Sequence, residues 1–436
     1  MRRLGPLLVS GLLALALGAK GAAAQEPIVT RHVLPNGIVV LVRENPAIDV
    51  VAVSLQVRAG SHFETPLTAG ITNFLQRVLL RGTTKRTYVQ LAEASEDIGG
   101  SVDGGGEVES AELRGQALGR HWETLLTIIA EIALEAALPP QEIERERRLL
   151  LGQLKSRADS PFSFSFDSLS QDLYGSHPYG RHYLGLKDNL ERLTREDLLA
   201  HYRAIYRPEQ MVLAVSGKVE RERVVKAAER LFGRLARTGR AADEVPAVSA
   251  ATGQRRVVER PAQQAQIMVG YLGPGLSDPL YPVARVLGAA LGGGMAGRLF
   301  VELRDRRGLA YSTGVIPLPF RVGPTFFVAY LGTAPESLAA AEAGVVQELE
   351  RVRSSPITAD ELARAKAYVL GQLSMERRTN ARQARDLAFF EIVGAGWDFP
   401  QRYARAIEAV TVADLAKAAE RLLTRPTIIV LQPSRR

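Results

Sequence analysis

Residues 49–61, DVVAVSLQVRAGS, alternate apolar and polar side chains with the period of two that suits a strand. HVLPNGIVVLVREN (32–45) places a Pro-Asn-Gly turn between two apolar runs and predicts a hairpin. The period then lengthens. Over residues 68–81, Ile71, Phe74, Leu75 and Val78 recur at helical spacing and leave Thr72, Asn73, Gln76 and Arg77 as a polar side. TYVQLAEASEDIGG (87–100) predicts a helix stopped by a glycine pair, and longer helical patterns follow at about 119–137 and 140–158. Strands and helices mix without a regular βαβα rhythm. The expected fold class is therefore α+β, mixed sheets covered by helices.

The pattern occurs twice. LTREDLLAHYRAIYRPEQMVLAVSG (193–217) aligns with VTVADLAKAAERLLTRPTIIVLQPS (410–434), with Asp197 opposite Asp414 and Pro208 opposite Pro426. Each segment reads as a capped helix, a turn at Arg-Pro and a β-branched strand. Upstream, LLGQL (150–154) aligns with VLGQL (369–373). Three matches in order at nearly constant offset imply two tandem homologous domains. Residues 236–254, rich in Ala, Thr, Ser and Gly, read as the linker between a domain over 25–235 and another over 255–436.

Composition narrows the function. The 436 residues are 46% hydrophobic, enough for two packed cores. Residues 1–24 have a basic start (Arg2, Arg3), a short apolar run and an Ala-Ala-Ala end, the form of a cleavable signal peptide. Export to a periplasm or beyond is the expectation, with no stable membrane insertion. The absence of Cys excludes disulfides and thiolate chemistry. The net charge of +8 comes from arginines scattered beside glutamates, as in EIERERR (142–148), and not from a basic groove interleaved with aromatics, so no nucleic-acid partner is expected.

Residues 73, 76 and 77 stand at i, i+3 and i+4 on one helix face. Two histidines at i and i+4 can hold one zinc ion, with a glutamate between them as general base, and H-x-x-E-H inverts the same geometry. Here the positions carry Asn73, Gln76 and Arg77. An amide oxygen is a poor zinc ligand, an amide is no base, and a guanidinium repels a metal cation. Taken alone, the stretch is explained as an amphipathic helix.

RAGSHFE (58–64), AGITNFLQRVLLRGT (69–83), IGGSVDGGGEVESAELRGQAL (98–118), SHPYGRHYLGLKDNL (176–190) and YRPEQMVLAVSGKV (206–219) together resemble the pitrilysin/insulinase family of zinc peptidases, in particular its short processing-peptidase type. The resemblance covers roughly residues 28–434. It implies that Asn73 and Arg77 stand where active members have His ligands, Gln76 where they have the catalytic Glu, and Gln153 where they have the third ligand. Glu146 still matches a family Glu, which would have nothing to support without a metal. No metal or catalytic residue is therefore expected in this chain.

The second domain carries LGGGMAGRLFVELRDRRGLAYST (291–313). No Gly-Lys-Ser/Thr follows the glycines, so phosphate binding is weakly supported. RLFVELRDRRGLAYS matches the family's signature in which an Arg and a Tyr contact substrate. The resemblance places these at Arg304 and Tyr311. Without it, Arg304 reads as a surface helix residue and Tyr311 as a core aromatic. The six histidines show no metal-ligand spacing. The resemblance thus implies a non-catalytic, substrate-binding subunit of a heterodimeric zinc peptidase, with zinc in a homologous partner that bears H-x-x-E-H and with peptides or unfolded segments as substrate. The alternative is a non-proteolytic scaffold or peptide-binding protein of the same fold.

Overall fold

The computed structural model describes residues 29–239, 248 and 253–434. The signal peptide read over 1–24 and most of the linker lie outside the described residues. No helix among the described residues is long and apolar enough to cross a membrane.

Eleven strands form two sheets. The first contains β1 (Val29–Val33), β2 (Val39–Glu44), β3 (Val50–Val57), β4 (Ser101–Gly106), β5 (Ala111–Leu118) and β6 (Met211–Gly217), in the order β1-β2-β6-β3-β5-β4. The second contains β7 (Arg255–Arg260), β8 (Ala265–Gly273), β9 (Ser312–Ile316), β10 (Thr325–Thr333) and β11 (Thr427–Pro433), in the order β7-β11-β8-β10-β9. Apart from the extra edge strand β1, the orders match. Each sheet also has one parallel pair at the corresponding place, β2 with β6 and β7 with β11. The fold is α+β with two tandem homologous domains.

The repeat extends to local chemistry. Thr194 and Asp197 form a capping box on helix Arg195–Ile205, and Thr411 and Asp414 form the same box on helix Val412–Leu422. The aligned aspartates are thus the same helix-start residue used twice. LLGQL and VLGQL likewise both lie in long helices, Pro140–Asp159 and Ala359–Glu376.

The halves are locked by a reciprocal exchange. Helix Pro161–Tyr174 of the first half lies on β8 and β11, and helix Asn380–Ile392 of the second half lies on β3 and β6. Leu387, Ala388 and Ile392 bury themselves on Leu41, Ala52 and Val212, while Leu169 and Leu173 bury themselves on Met268 and Ile429. Each fully buried aliphatic side chain contributes about 1.5–3 kcal/mol. This exchange corrects the alternation read in β3. Residues 51–57 are all buried, because Val51, Val53, Leu55 and Val57 face the first core while Ala52, Ser54 and Gln56 point to the face that helix Asn380–Ile392 covers.

Candidate functional site

Helix Ile71–Leu79 packs on β4 and β5 and against helices Pro140–Asp159 and Arg195–Ile205. Its start is fixed by the buried Glu64, whose carboxylate accepts from the main-chain N–H of Gly70 (2.7 Å) and Thr72 (2.9 Å). Burial pushes the Glu64 carboxyl up, against the pull of these hydrogen bonds. Gly70 has φ 99°, and a Cβ there would stand 2.8 Å from the Cα of Gly185, so only glycine lets the 176–190 segment close over the helix start.

The polar side expected on this helix is buried as well. Thr72, Asn73 and Gln76 are enclosed, Gln76 completely, and only Arg77 keeps part of its surface. The reason is a second layer of β4 and two helices, which pattern reading cannot detect. Asn73 Nδ2 donates to the carbonyl of Gly106 at 2.9 Å, and a Cβ on Gly106 would meet Asn73 N at 2.8 Å. Gln76 Oε1 accepts from the Tyr206 hydroxyl at 3.0 Å, and burial drives that phenol pKa upward. Thr72 Oγ1 and His201 Nε2 are 3.0 Å apart, and burial pushes this imidazole down to about 4. Asn73 Oδ1 and Gln76 Nε2 have no partner among the described residues.

Arg77 turns toward helix Pro140–Asp159. Its Nε donates to Glu146 Oε2 at 2.8 Å and its Nη1 to Gln153 Oε1 at 3.1 Å. Arg81, one turn on, donates to the other oxygen of Glu146 at 2.7 Å. Glu146 is fully buried. It therefore supports two guanidinium groups, which corrects the expectation that it would have nothing to hold. Of the four altered positions, Arg77 and Gln153 meet directly, while Asn73 and Gln76 are bound to other elements.

This donor set does not fit zinc. A guanidinium stands between the two helices where ligands would converge, and the remaining groups are neutral amides. No group of three or more His, Asp or Glu side chains in metal-binding arrangement is found among the described residues.

Arg304 and Tyr311 lie in the second half. Residues Phe300–Arg306 form a π-helical turn, in which the Arg304 guanidinium stacks over the Phe300 ring at 4.8 Å. Leu299 and Leu303 pack inward, and Phe300 stays partly exposed. Tyr311 leads into the edge strand β9 and is 71% exposed, so it is not a core aromatic. Neither side chain has a hydrogen-bond partner among the described residues. Both are free to meet a ligand.

One buried cluster escaped sequence reading. His62 Nδ1 is 2.6 Å from Glu109 Oε2, and the Tyr179 hydroxyl donates to the other Glu109 oxygen. Glu109 also accepts from the main-chain N–H of Val322 (3.1 Å), and the Tyr179 hydroxyl accepts from that of Gly323 (3.1 Å). His177 packs edge-on to Tyr179. The histidines at 62 and 177 thus serve a joint between the halves. Burial acts to raise the Glu109 carboxyl, but the hydrogen bonds from His62 and Tyr179 prevail and hold it below its ordinary value. Residues so far apart in sequence carry no shared motif.

An uncharacterized zinc protease of Mycobacterium tuberculosis is 30% identical over 410 residues, 93% of each chain. Residues 39–187 match the domain described as Insulinase (Peptidase family M16). Residues 192–369 match the one described as Peptidase M16 inactive domain. The chain belongs to peptidase family M16. Another relative, an uncharacterized zinc protease of Rickettsia bellii, is 27% identical over 393 residues, 90% of this chain and 94% of that one. Among solved structures, a protease from Helicobacter pylori superposes with TM-score 0.87 at 20% identity, covering 94% of this chain and all of the other. A peptidase M16 inactive domain from Pseudomonas fluorescens gives 0.86 at 22% identity, covering 93% and 98%. Both show the M16 fold. The second match begins before β6, so it overlaps the first sheet and does not mark the division between the sheets.

Proposed function

We propose that this M16 chain is the non-catalytic, substrate-binding subunit of an exported, heterodimeric zinc peptidase that acts on peptides or unfolded segments. The observation that carries the reading is the Arg77 guanidinium bonded to Glu146 and Gln153 in place of a ligand set. With Gln76 in place of a carboxylate, and with Glu146 held by the Arg77 and Arg81 guanidinium groups, the site offers no free carboxylate to take a proton from water. The metal and the general base belong, on this reading, to a homologous partner bearing H-x-x-E-H.

Arg304 and Tyr311 supply what this chain contributes. The planar guanidinium can donate two parallel hydrogen bonds to substrate carbonyls, and the phenol can donate to an oxygen that gains charge. Their exposure and lack of hydrogen-bond partners among the described residues support that role.

The test is peptide cleavage by the mature chain alone and mixed with an H-x-x-E-H relative from the same organism. Activity is expected only in the mixture. Arg304→Ala or Tyr311→Phe should lower it by about 10²-fold, in the range for loss of one transition-state donor, with unfolding free energy unchanged within about 0.5 kcal/mol. Metal-dependent cleavage by the chain alone overturns the proposal. A complex without cleavage, or no complex, favours the scaffold reading.

A further inference from the structure

A groove of about 940 Å³ opens on the first half between helices Pro140–Asp159 and Pro161–Tyr174 and the segment 175–191. That volume is near the top of the usual ligand-pocket range of about 300–1,000 Å³. The floor is apolar, with Leu151, Leu154 and Phe164 half-buried and Leu186 exposed at the lip. Four cations and two carboxylates surround it.

The charges are not balanced. Asp167 holds Arg157 through two bonds of 2.7 Å, and Glu191 lies 3.7 Å from Lys187. Lys155 is exposed and has no carboxylate within ion-pair distance among the described residues. Arg181 donates to main-chain oxygens, those of Glu64 (2.9 Å) and Ser176 (3.3 Å), and the buried Glu64 carboxylate offsets part of its charge. From the second half, Arg260 lies 4.1 Å above the Phe164 ring and donates to the Ala158 carbonyl, adding a further cation at one wall. His182, also in the wall, is pushed down to about 3 by burial and by Arg157 and Arg321, so it is neutral at physiological pH.

A groove with an apolar floor and surplus positive charge selects its occupant by charge complementarity. We propose that it binds an extended peptide segment in which an aliphatic or aromatic side chain sits on Leu151, Leu154 and Phe164 and a flanking aspartate or glutamate pairs with Lys155 and Arg181. The groove adjoins the altered metal site, because Gln153, bonded to Arg77, lies between Leu151 and Lys155 on the same helix. It is separate from Arg304 and Tyr311, and the inference does not depend on their role.

The experiment is fluorescence anisotropy on this chain alone. The probe is fluorescein-labelled Gly-Ser-Leu-Glu-Phe-Asp-Ser-Gly, compared with versions carrying amides or lysines at the two acidic positions. Saturable binding of the acidic probe is expected, about tenfold weaker for the amide version and absent for the lysine version. Lys155→Glu should weaken the acidic probe about tenfold and Leu186→Ser about threefold, with Lys226→Glu on a distant helix as the unaffected control. Both test positions are exposed, so the variants should keep the parent unfolding curve. No saturable binding, or equal affinity in Lys155→Glu, Leu186→Ser and the parent, overturns the proposal. So does a Lys155→Glu chain that keeps the probe but loses its complex with an H-x-x-E-H relative, since the groove would then be a subunit contact.

Discussion

The two halves of the chain place a helix at the same point of the same sheet, and the helices differ in kind. Ile71–Leu79 packs on β4 and β5, and Leu280–Gly292 packs on β9 and β10. The second buries Tyr281, Ala284, Val286, Leu287 and Leu291, apolar apart from the Tyr281 hydroxyl, which donates to the carbonyls of Leu318 and Pro319. The first buries Thr72, Asn73 and Gln76 and leaves two of their polar atoms without a partner among the described residues. Orphaned buried polar atoms are destabilising by about 1–3 kcal/mol each unless water reaches them. The second half shows that this fold does not require such a face. On the proposed reading the polar face of the first half marks the position where other members would hold a metal, and here Arg77, Arg81 and Glu146 link the two helices instead.

The largest test of that contrast is Glu146→Gln. It removes the carboxylate from between two guanidinium groups and leaves both uncompensated in a half-closed site. Breaking a buried pair by removing one partner is destabilising by about 3–5 kcal/mol. Denaturant unfolding should show a loss of that order, with the reciprocal exchange of helices still present in the folded fraction. A loss below about 1 kcal/mol would mean that the arginines simply turn to solvent, and that the ion pairs do not hold the two helices together.

Acid provides a second way to separate the halves. All six histidines lie in the first half, at 32, 62, 121, 177, 182 and 201. His201, hydrogen-bonded to Thr72 of the site helix, titrates at about 4 when folded, against an ordinary value of 6.5. Between those values the unfolded chain binds a proton that the folded chain does not. Stability therefore rises with pH from about 4 to 6.5 and is lost as pH falls through that window. At about 1.4 kcal/mol per unit, the full loss from His201 is about 3 kcal/mol. His201→Gln, which can still hydrogen-bond Thr72, should flatten the pH dependence of the denaturant midpoint over this window. An unchanged slope would shift the acid sensitivity to His182, which is also depressed, to about 3.

Much of this contrast was legible in the sequence. The constant offsets of Asp197/Asp414 and LLGQL/VLGQL follow from a repeated capping box and a repeated long helix, so local chemistry alone exposed the duplication. That Asn73, Gln76 and Arg77 offer no zinc-binding face was equally local, because residues 73, 76 and 77 share one face at any helical geometry. What escaped was long-range. Burial of the polar face depends on β4, about thirty residues on, and on Tyr206. The supporting role of Glu146 depends on the arginines 65 and 69 positions before it. Completion of β3's second face depends on a helix from the other half, and the His62–Glu109–Tyr179 joint on main-chain groups at 322 and 323. Tyr311 looked like a core aromatic by residue type, and only its place at the start of an edge strand leaves it exposed.

The finest test makes the first half resemble the second. Gln76→Leu alone removes the orphaned Nε2 but strands the buried Tyr206 hydroxyl, which donates to Gln76 Oε1. The single variant should therefore lose about 1–3 kcal/mol. Tyr206→Phe in the same chain removes the stranded hydroxyl as well. Replacing both partners by apolar groups of similar shape is close to neutral or stabilising, so the double variant should recover to within about 1 kcal/mol of the parent. The coupling energy from the double-mutant cycle is the quantity to measure. A large favourable coupling, with the double variant near the parent, would establish that the polar face contributes nothing the fold needs. A double variant as unstable as the sum of the singles would mean that Gln76 and Tyr206 belong to a wider hydrogen-bonded network, and that the first half has come to depend on the polarity of this helix face.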